Sequence, residues 1–286
     1  MISISDVEVP DDYQFLQPIV DTNLLRIGNT FDGGYVVSQE LFSKTTKLVS
    51  IGYGWDSSFE ICAIRNYPSI NCIIYDDVAN IRRWVRPWIK FPRFFFGSLA
   101  NGKIVSPRQF SWFQPSLDFA KMLLIYARRI TYKNAAIVRV PGNKNEISLN
   151  HILSAFEVSE IVYLKIDIEG SEYEIIEQII QSECYLIGMT IEFHDLSVRK
   201  EEFISCMKKI QAKFVVNHLH PNNHRDLING FPDVIEISFI SKKLLHGEQL
   251  FRRESRLDVD SPNNRFRPDY NLIFKSRSKD AKSNET

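Results

Sequence analysis

Short apolar runs recur from residue 47 to about 240, separated by stretches in which apolar residues return every three or four positions. Lys47–Ile51, Asn71–Tyr75, Phe94–Phe96, Ile161–Ile166 and Tyr185–Ile191 have the length and β-branched or aromatic content of strands. Between the last two, Tyr173, Ile175, Ile176, Ile179 and Ile180 recur near the helical period. Phe203, Ile204, Met207 and Ile210 repeat the pattern across 201–213. Strands alternating with such helices predict βαβ units and a mainly parallel sheet. Phe214–His220 and Val234–Ile240 are two further strands, but the loop 221–233 has too little room for a crossover helix, so they pair antiparallel. The stretch 98–146 is too long for one connection; it holds a helical pattern at 119–130 and an extra apolar run at 135–140, and reads as an insertion over the binding edge. The expectation is a single α/β domain over 1–274 with its core at about 47–240, followed by a disordered polar tail at 275–286.

Composition narrows the function without naming it. A length of 286 residues, 44% of them hydrophobic and 24% charged, suits a globular core and excludes fibrous and disordered classes. Lys and Arg number 35 and Asp and Glu 35. A protein that coats nucleic acid or an anionic bilayer carries a positive surplus; none is present, so no nucleic-acid partner is expected. Cys62, Cys72, Cys184 and Cys206 form no CxxC and no zinc-like spacing, and Cys72 and Cys184 lie in apolar surroundings. The N-terminus lacks the basic and apolar regions of a signal peptide, and no apolar run reaches about 18 residues. A soluble, cytoplasmic protein without a transmembrane segment is the expectation; the oligomeric state is not legible.

The sharpest local signal is Ser50-Ile-Gly52-Tyr-Gly54-Trp-Asp56-Ser57-Ser58-Phe-Glu60. A buried strand runs into Gly-x-Gly and then into a helix start that Asp56 or Ser57 can cap. Glycines there let a ligand approach the backbone. The next strand ends in Asp76, 22 residues beyond Gly54, the spacing of an acid that accepts hydrogen bonds from ribose hydroxyls. Asp77 competes for that role, but Asp76 directly ends the strand. Ser57 stands where a dinucleotide fingerprint wants its third small residue, and Asp56 and Glu60 put acid where a pyrophosphate would lie. Those acids suit a cationic or zwitterionic ligand such as S-adenosylmethionine better than NAD.

A second signal is Leu164-Lys-Ile-Asp167-Ile-Glu169-Gly170-Ser-Glu172-Tyr-Glu174. The strand delivers Asp167 and Glu169 to the carboxyl edge of the sheet, where ligands bind in open α/β folds. Their spacing puts both carboxylates on one side if the strand continues. Gly170 permits the turn into a helix, whose dipole Glu174 complements.

At these residues the chain resembles the FkbM-type S-adenosylmethionine-dependent methyltransferases. Asp167-Ile-Glu-Gly-Ser-Glu172 is similar to that family's hallmark motif. Arg26–Tyr35, Ser50–Glu60, Ile191–His194, His218–Asn223 and Pro232–Glu236 are similar to blocks of a bacterial branch. The blocks are scattered over roughly 24–240 and leave about 78–146 unmatched. The resemblance implies a class I methyltransferase fold, Rossmann-like, with an antiparallel strand pair. It also implies methyl transfer to a hydroxyl of a sugar, polyketide or other small molecule. Gly52, Gly54 and Asp76 then line the cofactor pocket, Ser58 and Glu60 stand at its methionine end, and Asp32 and Tyr35 cover it.

A hydroxyl acceptor must lose a proton, and the candidate bases are Asp167, Glu169, His194 and His220. Glu192, His194, His218 and His220 all fall at the same predicted sheet edge. Asp167, His194 and Asn222 could instead hold a divalent metal, a minority reading because no tight ligand motif is present. Arg82–Phe96 mixes five positive residues with aromatics. It reads either as an amphipathic helix with a solvated arginine face, or as a local attraction for an anionic acceptor at a membrane surface, such as a nucleotide-sugar or lipid-linked glycan. Two rival functions stay open: an NAD-dependent oxidoreductase, and a non-catalytic methyltransferase-like partner subunit.

Overall fold

Successive side chains of a strand point to opposite faces, and most strands here are apolar on both, so both faces need covering. The computed structural model describes residues 3–52, 54, 56–77 and 124–276. The chain begins with β1 (Ile4–Glu8), a hairpin of β2 (Leu24–Ile27) and β3 (Tyr35–Ser38), and the short helix α1 (Gln39–Lys44). Then come β4 (Lys47–Ile51), α2 (Ser58–Asn66), β5 (Asn71–Tyr75) and β6 (Ile130–Lys133). A small parallel pair, β7 (Ala136–Val138) and β8 (Glu146–Ser148), leads into α3 (Leu149–Ser154). The second half runs β9 (Ile161–Ile166), α4 (Glu172–Gln181), β10 (Tyr185–Phe193), α5 (Lys200–Lys213), β11 (Phe214–Pro221) and β12 (Ile235–Ser241). Last, β13 (Asp269–Ile273) returns to pair parallel with β1.

Seven strands form the central sheet in the order β11-β12-β10-β9-β4-β5-β6. Every neighbouring pair is parallel except those made by β12, which runs antiparallel between β10 and β11. This is the class I methyltransferase arrangement, and the chain has an α/β fold of that kind. Alternation along the strands feeds two cores. Val49, Ile51, Val162, Leu164 and Ile166 pack with Tyr173, Ile176, Phe203 and Met207 of α4 and α5. Leu48, Cys72, Ile74 and Tyr163 pack on the other face with Phe59, Ala63 and Ile64 of α2 and with Ile27, Tyr35 and Val37 of the hairpin. On α5 the buried residues Phe203, Cys206, Met207 and Ile210 form one helical stripe. Among the described residues, no helix is long and apolar enough to cross a membrane.

Several sequence expectations need correction. The strand beside β5 is β6, inside the stretch read as an insertion; Phe94–Phe96, the basic run 82–96, residues 119–123 and the tail from 277 lie outside the described residues. Strand geometry stops at Ile166, and Glu169 has a left-handed backbone (φ 52), so the period-two argument for Asp167 and Glu169 does not apply. Cys184 is only partly buried, whereas Cys72 is fully inside, where burial pushes its thiol well up.

The segment after β12 is held by buried polar pairs. His218 Nε2 lies 2.9 Å from Asp260 Oδ1, and His220 Nε2 lies 3.0 Å from Asp269 Oδ1. Arg256 Nε donates to Asp269 Oδ2 at 3.0 Å. Although burial disfavours its charge, the His220 and Arg256 bonds hold the Asp269 carboxyl below the usual range. Asp269→Asn therefore takes the counter-charge from half-buried Arg256 and the acceptor charge from buried His220, and should cost about 3 kcal/mol at pH 7. Because the folded aspartate titrates low, its contribution is present above the ordinary value of about 3.9 and is lost as pH falls below it. Urea midpoints of the two proteins should differ at neutral pH and converge in acid; equal midpoints at pH 7 contradict this.

Candidate functional site

The ends of β4 and β9 meet so closely that only glycine fits between them. Gly52 has φ 78, and a Cβ there would overlap the Asp167 backbone carbonyl. Asp167 N–H donates to Ile51 O at 2.9 Å, and Gly52 N–H to Tyr75 O at 3.0 Å, tying three strand ends together. Gly54 N–H donates to Asp76 Oδ2 at 2.8 Å, so the loop after β4 is fastened to the acid after β5. A Cβ on Gly54 would meet nothing within 4 Å among the described residues. Asp76 lines a cavity of about 270 Å³ whose other walls include Ile51, Tyr75, Ala136, Ile137 and Ile168. It is a largely apolar slot with carboxylates at its rim.

A second cavity, about 210 Å³, adjoins the first at Gly54, Asp167 and Glu169. The hairpin supplies Asp32, Gly33 and Tyr35 to it, and α2 supplies Phe59 and Glu60. Asp56 rather than Ser57 caps α2: its Oδ1 accepts from Ser58 N–H at 2.8 Å, and its Oδ2 accepts from Asn29 Nδ2 at 2.5 Å. Ser58 does not reach the cavity wall, because its Oγ accepts from Asn29 N–H at 2.9 Å and holds the hairpin turn. Glu60 is fully buried and accepts a hydrogen bond from Ser50 Oγ. Burial pushes its carboxyl up despite that bond and the nearby Lys165.

The third cavity, about 260 Å³, meets the second at Asp32, Asp167 and Glu169. Glu192, His194, Asn222, His224 and Arg225 complete its polar walls, with Val234 as the apolar contribution. Tyr35 Oη donates toward Asp167 Oδ2 (3.0 Å) and Glu192 Oε2 (3.2 Å), and Asn222 Nδ2 donates to Glu192 Oε1 at 2.7 Å. Burial, with Asp167 and Glu236 close by, drives the Glu192 carboxyl well above the usual range. His194 is 6% exposed, and its Nδ1 bonds Glu172 Oε1 at 2.9 Å. Its Nε2 faces Glu169 at 3.6 Å and Asp167 and Glu192 at 4.0 Å. Burial would lower its pKa, but Glu172, Glu192 and Asp167 outweigh it and raise the imidazole to about 9.

Sequence reasoning did not assign Glu172 a site role. It is fully buried and accepts from Ile168 N–H and Gly170 N–H as well as from His194. One carboxylate thus shapes the β9–α4 turn and fixes the ring beside it. Its place in the motif was the available signal. Lys165 was missed too, although a lysine inside an otherwise apolar strand is costly enough to notice.

Of the candidate bases, Asp167, Glu169 and His194 come together and His220 does not. In the register His220 lies opposite Glu236, which lies opposite Glu192, so a whole strand separates it from the cavity. His218 likewise turns to Asp260. For a metal, Asp167, Glu172 and His194 bring ligand atoms within 4.8 Å of one another. Asn222 fits the expected ligand set less well, because its Oδ1 already accepts from His224 N–H at 2.9 Å.

The family model described as the methyltransferase FkbM domain matches residues 57–226. Among solved structures, the FkbM methyltransferase of Methylobacillus flagellatus KT is similar at 11% identity and TM-score 0.35, over 68% of this chain and 44% of that one. The Methanococcus jannaschii fibrillarin pre-rRNA processing protein is similar at 11% identity and TM-score 0.36, over 70% and 68%. M. capricolum TrmK, solved with S-adenosyl-homocysteine, is similar at 11% identity and TM-score 0.36, over 72% and 69%. No curated protein sequence matches the chain.

Proposed function

Because the chain belongs to the FkbM methyltransferase family, we propose that it transfers the methyl group of S-adenosylmethionine to a hydroxyl oxygen of a sugar, glycan or secondary metabolite. The observation that carries this reading is the run of three cavities joined through Asp167 and Glu169. The apolar slot suits a purine, with Asp76 at the ribose hydroxyls. The middle cavity, with Glu60, Tyr35 and Asp32, suits a charged amino-acid moiety. The polar outer cavity with His194 suits an acceptor rich in hydroxyl donors.

The cofactor, when bound, supplies an electrophilic methyl on a positively charged sulfur. The chain's part is to hold the acceptor oxygen in line with it, and to take a proton. Gly52 and Gly54 let the backbone close on the ligand, and Asp76 fixes its sugar. Glu172 holds His194 by Nδ1, leaving Nε2 turned toward the acceptor cavity. The neutral Nε2 would take the acceptor hydroxyl's proton as the oxygen–methyl bond forms and the sulfur–methyl bond breaks, leaving S-adenosylhomocysteine as the neutral thioether product. Orientation and proton removal are each recognised sources of acceleration.

This assignment sets a pH dependence. With its pKa raised to about 9, His194 is mostly imidazolium at neutral pH, and only the neutral form accepts a proton. Turnover of purified protein should rise by about tenfold per pH unit well below the apparent pKa and level off above it. A cationic cofactor bound beside Asp167 and Glu169 should move that inflection downward. A methyl-transfer rate flat from pH 6 to about 9, with chemistry rate-limiting, removes His194 as the base.

A further inference from the structure

Lys165 is the charged residue of β9, set among apolar neighbours and 5% exposed. Burying an ammonium is costly unless its protons are spent, and an ammonium carries three. Lys165 Nζ donates to Gly52 O at 2.6 Å and to Asp167 Oδ2 at 3.3 Å. Its third proton has no hydrogen-bond partner among the described residues, and the side chain lines the middle cavity. In the register Lys165 lies opposite Ser50, the residue that donates to Glu60. Glu60 lines the same cavity, and its Oε2 is buried without a hydrogen-bond partner among the described residues. The cavity wall thus holds a cation and an anion, each with bonding capacity unspent.

Opposite charges with unspent bonds on one small cavity are complementary to a zwitterion. We infer that Lys165 anchors the α-carboxylate of the cofactor's amino-acid moiety, with Glu60 facing its α-ammonium, so that the pocket selects S-adenosyl ligands that keep their carboxylate. This rests on the methyltransferase reading above, and gives Lys165 a ligand-reading role beyond its pairing with Asp167. If that pairing were its whole purpose, losing Lys165 would weaken every adenosyl ligand alike. An anchor makes its loss specific to ligands that carry the carboxylate.

The test is calorimetric and needs no turnover. S-adenosylhomocysteine, its decarboxylated analogue and 5′-methylthioadenosine are titrated into the full chain and into Lys165→Met and Lys165→Arg. Wild-type protein should bind S-adenosylhomocysteine roughly tenfold or more tighter than the decarboxylated analogue, the worth of one charge-assisted hydrogen bond. In Lys165→Met the two should bind within about threefold of each other, while Lys165→Arg keeps part of the preference. A wild-type protein that binds both equally overturns the inference without any variant, which covers the case of Lys165→Met failing to fold. A folded Lys165→Met with the wild-type preference also overturns it. Binding with the wrong ratio sinks this inference alone, whereas no binding by any of the three ligands sinks the methyltransferase reading with it.

Discussion

Asp76→Ala should remove S-adenosylhomocysteine binding from a calorimetric titration, weakening it by more than about a hundredfold. Two losses combine. A carboxylate spanning both ribose hydroxyls makes two charge-assisted bonds, each worth about 1.5–3 kcal/mol. Asp76 also accepts the Gly54 N–H at 2.8 Å, so alanine frees the loop that must close on the ligand. The fold should survive, since the residue sits after β5 rather than within a core cluster. An unchanged circular-dichroism spectrum with lost binding is the expected pair of results. Asp76→Ala protein that binds within about threefold of wild type would mean that the ribose lies elsewhere.

The second large effect is on rate. His194→Ala should leave cofactor binding within about threefold and lower kcat by roughly 10²–10⁴-fold, the worth of a positioned base. His194 lines the acceptor cavity and not the two inner ones, which is why binding should be spared. Glu172→Gln gives an independent check, because a glutamine amide donating to Nδ1 would place the ring proton on Nε2, the wrong atom for a base. Its kcat should fall while the cofactor affinity holds. A His194→Ala enzyme with wild-type kcat, measured by single-turnover methyl transfer, leaves Asp167 or Glu169 as the base.

Much of the sheet was legible because its information is local. Lys47–Ile51, Asn71–Tyr75 and Ile161–Ile166 are apolar runs bounded by turns, and all three are strands with those limits. The antiparallel β12 followed from a connection too short for a helix. β6 escaped because Ile130-Thr-Tyr-Lys is short and half polar, so its strand character comes from pairing with β5. β1 and β13 pair across nearly the whole chain, and Asp269, buried in β13, is satisfied there by His220 and Arg256. No local pattern announces a buried aspartate whose partners lie elsewhere.

The proposed site divides the same way. Asp76, Gly52 and Gly54 follow from motif spacing, and they lie together at one cavity. Along the sequence His220 and His194 both fall at strand ends, yet the insertion of β12 between their strands separates them. Ser58 looked like a ligand contact from its place in the loop, but the hairpin turn claims it through Asn29. Lys165 and Glu172 act across strands or turns, so their partners appear only after folding.

On this reading the two inner of the three joined cavities receive an S-adenosyl ligand and not a dinucleotide, and the outer one receives the acceptor. Titration of the purified full chain with S-adenosylhomocysteine and, separately, with NAD tests it most directly. Saturable binding of S-adenosylhomocysteine and none of NAD is expected, because Asp56 and Glu60 put acid at the start of α2 where a pyrophosphate would sit. Saturable NAD binding without S-adenosylhomocysteine binding would contradict it.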